Sequence, residues 1–161
     1  MKKIKLLTIL FITIIFFTGC SKNKTAITGE EFLTKASDLG FSLSDVTTSY
    51  GFSNKAYQTE RDEYSILFIE GKKLSDITGM FVDEINNIYS ESEMVGTLTS
   101  ENSTTKKIDR VPSEGKNWKA LEVNSGGYYY YVIYVDNTLL YLKGNSSHKD
   151  SLIKLKDAIK Y

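Results

Sequence analysis

Several residue types on which functional sites commonly depend are nearly missing from this 161-residue chain. Its one cysteine, Cys20, cannot form an intramolecular disulfide. Its one histidine, His148, would have to carry any histidine metal site or Ser-His-Asp triad. That residue lies between two potential helix caps, Ser147 and Asp150, where a solvated surface histidine is the expected outcome. The sequence offers no cluster of cysteine and histidine, and we expect no cofactor and no metal site.

Motifs for phosphate binding and for acid/base catalysis are also missing or weak. The chain has no Gly-rich loop of the Walker or Rossmann form. Two acid pairs, Asp62-Glu63 and Asp83-Glu84, could catalyse a hydrolysis only if folding placed two carboxylates several ångströms apart around a cleft. Adjacent residues on a helix point to different sides, so solvated charge is the simpler interpretation of both pairs. We therefore assign no catalytic residue.

The most apolar stretch is at the N-terminus, MKKIKLLTILFITIIFFTGC. Three lysines precede a twelve-residue apolar run, Leu6 to Phe17, and the small residues Thr18 and Gly19 close it. A positive segment, an apolar segment and small residues form the pattern of an export signal. A bilayer-spanning helix needs about 20 apolar residues, so an uncleaved transmembrane anchor is the weaker interpretation.

The end of this stretch, Phe17-Thr18-Gly19-Cys20, is similar to the lipobox of bacterial lipoproteins. In that family, small residues precede a cysteine that is diacylglycerylated and becomes the mature N-terminus, and leucine is usual at the position of Phe17. The resemblance implies that residues 1–19 are a signal peptide and that Cys20 is lipidated. Two acyl chains give stable anchoring, so we expect the protein on the outer face of the cytoplasmic membrane. The abundance of Ile, Lys, Asn, Ser, Thr and Tyr is typical of an AT-rich, Gram-positive host.

The mature chain has the size of one domain and no excess of positive charge. We expect residues 20–27 to be the lipidated cysteine and a short polar tether, which keeps the domain within about 25 Å of the headgroups. Residues 28–161 then form one globular domain. Without the signal lysines, 17 basic residues face 20 acidic ones, a net charge of −3. A weakly acidic domain without a basic stripe is a poor candidate for binding nucleic acid.

Apolar periodicity predicts three helices and five to six strands. Thr28 and Glu31 indicate a capping box for a helix that ends at Leu39 or Gly40. A second helix, from Leu74 to about Tyr89, has the clearest helical spacing, and its Gly79 is interpreted as a close approach to the sheet. Ser75 or Asp76 is expected to cap that helix, and Ser147 or Asp150 a terminal one. Strands are predicted at Phe41 to Val46, Tyr64 to Glu70, Thr104 to Val111, Trp118 to Val123, Tyr128 to Val135 and Thr138 to Lys143.

These elements predict an α+β fold with a single antiparallel sheet on which three helices pack. The segment from Tyr50 to Glu63 is expected to be a turn and solvated charge. Hairpin residues at Asn124 to Gly127 and at Asp136-Asn137 join the last three strands. The chain, especially from Val135 to Tyr141 and in the terminal helix, resembles small lipoproteins of Firmicutes whose activity is uncharacterised. That resemblance implies the fold and the anchoring, and no activity.

Four consecutive tyrosines, Tyr128 to Tyr131, are the most distinctive local feature of the domain. In a strand they alternate between faces. If Tyr129 and Tyr131 point inward, Tyr128, Tyr130 and Tyr134 line the other face, with Trp118 and Tyr141 across neighbouring strands. An exposed aromatic row would bind sugars or a protein partner. The alternative is that a helix covers that face as well, or that tyrosines simply suit strands.

Two functional hypotheses follow. The first is a non-catalytic, lipid-anchored module that binds an envelope protein, a peptide or a wall glycan through Trp118, Tyr128, Tyr130 and Tyr134. The second is an envelope-acting hydrolase that uses paired carboxylates. A pocket that holds an acid pair with a raised pKa would favour the hydrolase, and a flat exposed aromatic row would favour the binding module.

Overall fold

The computed structural model describes residues 22–98 and 108–161, so the expected signal peptide and Cys20 lie outside the described residues. Within these ranges the chain forms three α-helices, a short 3-10 helix at Thr47–Ser49 and seven strands. The α-helices are α1 (Gly29–Asp38), α2 (Leu74–Leu98) and α3 (Lys149–Ile159). The strands are β1 (Ser44–Asp45), β2 (Ser53–Glu60), β3 (Tyr64–Gly71), β4 (Asp109–Glu114), β5 (Trp118–Ser125), β6 (Tyr128–Val135) and β7 (Thr138–Asn145).

All seven strands belong to one sheet in the order β1-β2-β3-β7-β6-β5-β4, and every neighbouring pair is antiparallel. Two meanders, β1 to β3 and β4 to β7, meet where β3 pairs with β7. Helix α2 connects them and packs across the sheet on the way. The predicted α+β class with a single antiparallel sheet is confirmed, whereas the sheet has seven strands instead of five to six.

The strand that the sequence did not predict is β2, a polar segment between β1 and β3. It corrects the prediction of a turn and solvated charge from Tyr50 to Glu63, and it buries Ala56 on one face and Tyr57 on the other. The edge strand β4 is exposed along its length and contains Pro112, which an edge tolerates because its missing N–H is not needed there. It begins at Asp109, later than predicted, and residues 104–107 of the predicted strand lie outside the described ones.

The ends of α1 and α2 can be compared with the predicted helix ends and caps. The Thr28 and Glu31 capping box is present, and α1 ends just before Leu39, followed by Gly40 with a φ of 85°. Helix α2 continues nine residues beyond Tyr89 to Leu98. It begins at Leu74, so Ser75 and Asp76 are inside its first turn. Among residues 22–98 and 108–161, no helix is both long and apolar enough to span a bilayer.

The sheet separates two apolar cores, which we call the α2 face and the α1/α3 face. Helix α2 covers the first with Ile77, Phe81 and Ile88. Helices α1 and α3 cover the second with Phe32, Leu152, Leu155 and Ile159. Buried sheet residues of the α2 face include Leu67, Ile69, Leu121, Val123, Tyr130, Val132 and Leu139, and those of the α1/α3 face include Ile66, Phe68, Tyr129, Tyr131, Ile133, Leu140 and Leu142.

Candidate functional site

The predicted tyrosine alternation exists, but the four predicted binding residues do not share a face. Tyr129 and Tyr131 belong to the α1/α3 core, whereas Tyr128, Tyr130 and Tyr134 belong to the α2 side. Trp118 pairs with Val135 across β5 and β6, so it points to the α1/α3 face. The sequence could not supply this register, because one residue of shift changes the face of every side chain in a strand.

The tyrosines on the α2 face do not form an exposed row, because α2 lies over them. Tyr130 is 1% exposed, and Tyr128 and Tyr134 are half-buried. The ring of Phe81 from α2 meets that of Tyr134 edge-on, with 5.1 Å between centroids. Burial, followed by the negative charge of Glu91, raises the pKa of Tyr130 to about 12. These rings therefore work as core residues with polar hydroxyl ends.

The two acid pairs lie in different surroundings. Asp62 and Glu63 are exposed at the β2–β3 turn, where they line a cleft of about 430 Å³ with Glu60, Tyr128 and Lys143. In the second pair, burial raises the pKa of Glu84, and a hydrogen bond from Asn87 opposes that shift. Glu84 is not among the residues that line this cleft. The first pair therefore lines a cleft together with a third carboxylate, Glu60, and the second pair does not line that cleft.

His148 helps to hold the start of α3 in place. It is half-buried, its ring packs on Tyr64 with 5.0 Å between centroids, and its Nδ1 lies 3.0 Å from Oδ1 of Asn145. It is the residue immediately before the helix, so neither Ser147 nor Asp150 is the cap, and it is less solvated than expected. Within the described part of the chain, no group of three His, Cys, Asp or Glu residues could hold a metal ion.

The cleft with the most distinctive chemistry is formed where residues 22–27 cross the ends of α1 and α3. Its volume is about 820 Å³. We call it the basic cleft, because its charged lining residues are four lysines and one glutamate. The lysines are Lys22, Lys24, Lys35 and Lys160, and the glutamate is Glu31. Trp118 adds an aromatic ring to the lining. Sequence reasoning missed the cleft because the lysines come from three separate segments and form no local pattern.

Side chains of the domain bind the main chain of residues 22–27 through hydrogen bonds, and we call this set of bonds the N-terminal clamp. The indole Nε1 of Trp118 donates to the carbonyl of Lys22 at 2.9 Å. The Asn117 side chain accepts from the Lys24 N–H at 3.2 Å and donates to the Lys24 carbonyl at 2.9 Å. The Ile27 N–H donates to the Tyr161 hydroxyl at 3.1 Å. The segment expected to be a tether is thus bonded to the domain from Lys22 onward.

Lys24 is the most constrained cation of the basic cleft. Its ammonium lies 5.0 Å from the centre of the Trp118 ring and donates to the Lys160 carbonyl at 3.1 Å. Burial, and then repulsion by the ammonium of Lys156, lowers the pKa of Lys24. An ammonium held against an aromatic face and near a second cation is favourably placed to receive an anion.

No protein family, curated protein or solved structure gave a match to this chain. The lipoprotein resemblance of the N-terminus therefore stays a prediction.

Proposed function

We propose that this protein is a lipid-anchored, non-catalytic module on the outer face of the cytoplasmic membrane. The observation that carries the proposal is the N-terminal clamp, whose first bonded residue, Lys22, is two positions after Cys20. Consecutive Cα atoms are about 3.8 Å apart, so Cys20 is within about 8 Å of Lys22. A lipid on Cys20 would therefore hold the domain directly against the bilayer.

A binding role fits the surface better than a catalytic one. Of the four residues predicted to bind a partner, Trp118 and Tyr128 line clefts, whereas Tyr130 is buried and Tyr134 lies against Phe81. An envelope protein and a wall glycan remain the candidate partners, now at these two clefts instead of along one tyrosine row. We propose no nucleic-acid partner and no cofactor.

The anchor is tested by expressing the full chain and its Cys20→Ala variant in a Gram-positive host fed an alkyne fatty acid. The wild-type protein should incorporate the label, sediment with membranes and be degraded when protease is added to intact protoplasts. The Cys20→Ala variant should carry no label, whereas a Ser21→Ala control should behave like the wild type. Absence of label from the wild-type protein, or equal labelling of Cys20→Ala, would contradict the proposal.

The alternative of an envelope hydrolase rests on the carboxylate cleft at the β2–β3 turn. There Glu60, Asp62 and Glu63 approach Tyr128 and Lys143. Purified protein incubated with cell-wall sacculi should release no soluble glycan or peptide if the binding role is correct. Release that is lost in Glu63→Gln, with the thermal stability unchanged, would favour the hydrolase instead.

A further inference from the structure

The basic cleft is a local reversal of charge on an otherwise weakly acidic domain. Four lysines and one glutamate line it, although acidic residues outnumber basic ones after residue 19. The one lining carboxylate is already engaged, because Glu31 Oε2 accepts from the Thr28 N–H at 3.1 Å in the capping box of α1. With one glutamate against four lysines, the lining keeps a net charge of +3 toward a ligand.

The fold fixes the main chain of three of these lysines, and it holds one ammonium directly, since that of Lys24 donates to the Lys160 carbonyl at 3.1 Å. The N-terminal clamp fixes the main chain at Lys22 and Lys24, and Lys160 is the residue that ends α3 in a left-handed conformation with a φ of 63°. Trp118 supplies an aromatic ring with a polar N–H at the same place, and such rings are favoured where a membrane meets water. Ammonium groups carried on this fixed main chain, beside an interfacial aromatic ring, suit an anion at a lipid surface.

We propose that the basic cleft binds the phosphate-bearing headgroups of anionic phospholipids in the bilayer that holds the lipid on Cys20. This inference rests on the proposed function for its location, since covalent reach places Cys20 within about 8 Å of Lys22, a residue of the cleft. Charge complementarity supplies the ligand class. Each lysine near an anionic surface strengthens membrane binding by about fivefold, so the cleft adds a second, electrostatic attachment that sets the orientation of the domain.

The test uses the mature chain, residues 20–161, with Cys20→Ser so that no lipid can be attached. Binding is measured by co-sedimentation with vesicles of phosphatidylcholine alone and with vesicles that contain phosphatidylglycerol, at about 0.1 M salt, where screening acts over about 10 Å. Trp118, the only tryptophan, reports on the cleft itself through its emission. We expect at least tenfold stronger binding, on the order of two lysine contacts, to the phosphatidylglycerol vesicles, with a blue shift of that emission.

Two variants with the same change in net charge test whether binding depends on the lysines of the cleft or on the net charge of the domain. Lys22→Glu/Lys160→Glu removes two exposed cations of the cleft, and Arg61→Glu/Lys154→Glu removes two exposed cations outside it. Thermal unfolding should be the same for both. We expect the first to lose at least about tenfold in binding, and the second to keep binding within about threefold. Equal losses in both variants, or no preference for phosphatidylglycerol, would overturn the proposal.

Inorganic phosphate and glycerol phosphate distinguish a lipid headgroup from a soluble phosphate. We expect neither to shift the Trp118 emission at the phosphate concentration at which the vesicles do. An equal shift by free phosphate would assign the cleft to a soluble ligand and overturn the membrane proposal. The fatty-acid label on Cys20 is an independent measurement, so a failed anchor with intact vesicle binding, or the reverse, identifies which of the two proposals is wrong.

Discussion

The two faces of the sheet are covered in different ways. On the α2 face, one helix of 25 residues provides the cover through apolar side chains such as Ile77 and Ile88. It also makes polar contacts with the sheet: Ser125 Oγ donates to the Ser92 carbonyl at 3.0 Å, and Lys143 Nζ lies 2.7 Å from Oε2 of Glu91. On the α1/α3 face, two short helices provide the cover, and lysines of α3 make polar contacts with β5. Lys149 Nζ donates to Oδ1 of Asn124 at 2.8 Å, and Lys156 Nζ lies 3.2 Å from Oε2 of Glu122. Polar contacts therefore support both covers, and the α1/α3 face differs in that the N-terminal clamp also binds the segment 22–27 to it.

The largest expected effect comes from opening the core of the α1/α3 face. Phe68 and Phe32 are both 0% exposed, and their rings stack with 4.3 Å between centroids. Phe68→Ala should lower the free energy of unfolding by about 3–5 kcal/mol, because it leaves a cavity that the sheet cannot close. Ile77→Ala should cost about 2–5 kcal/mol on the α2 face. Urea unfolding measures both, and a loss below about 1 kcal/mol for either would show that its face is loosely packed.

Alkaline pH should destabilise both faces together. Burial raises the pKa of Tyr130 on the α2 face to about 12, and burial also raises the pKa of Tyr129 and Tyr131 on the other face. An unfolded tyrosine titrates near pH 10. The folded state therefore binds more protons between about pH 10 and 12, so stability is full below about pH 10 and falls as the pH rises.

Melting temperatures at pH 8, 10 and 11 check this direction. We expect Tyr130→Phe to show a shallower decline than the wild type above pH 10, because one of the ionising groups is removed. An unchanged melting temperature from pH 8 to pH 11 would contradict the burial of these hydroxyls.

Replacement by alanine should have opposite effects on stability at two glycines, one just before α2 and one inside it. A Cβ on Gly71 would lie 2.7 Å from Cγ1 of Ile77, so Gly71→Ala should cost about 1–3 kcal/mol. Gly79 has no atom within 4 Å of a Cβ, which corrects the expectation of a close approach to the sheet. Gly79→Ala should therefore stabilise the protein by about 0.5–1 kcal/mol. A loss of stability in Gly79→Ala would mean that another molecule covers this side of α2 in solution.

The smallest effect is expected for Tyr129→Phe, which is compared with Tyr161→Phe on the same α1/α3 face. The Tyr161 hydroxyl accepts from the Ile27 N–H at 3.1 Å and lies 2.5 Å from Oγ1 of Thr138. The buried Tyr129 hydroxyl has no hydrogen-bond partner among the described residues. Tyr161→Phe should cost about 0.5–1.5 kcal/mol for each lost bond, and Tyr129→Phe should be neutral or stabilising. Equal losses in calorimetry would argue against the N-terminal clamp.

Local chemistry made part of the fold predictable. The β5–β6 turn places Gly126 and Gly127 at φ values of 59° and 87°, and Asp136 has a φ of 50° in the next turn, as hairpin residues allow. The capping box of α1 was similarly readable from Thr28 and Glu31. In each case the information lies within a few neighbouring residues, so no tertiary contact is needed to interpret it.

The remaining features depend on contacts between distant residues. Strand β2 is stabilised by pairing with β1 and β3, and its polar sequence carries no alternation that would predict it. The sequence predicts which tyrosines share a face, and it cannot predict that α2 covers Tyr130. The basic cleft joins residues 22 and 160, which only the completed fold brings together.

The most direct test of the central claim is the depth of Trp118 relative to the bilayer in the native, lipidated protein. The full-length product purified from membranes is reconstituted into vesicles that carry a nitroxide label on the lipid headgroup, and the emission of the single tryptophan is measured. If the N-terminal clamp holds this end of the domain against the membrane, the headgroup label should quench Trp118 strongly, and Asn117→Ala should weaken the quenching. Emission equal to that in unlabelled vesicles would contradict the account.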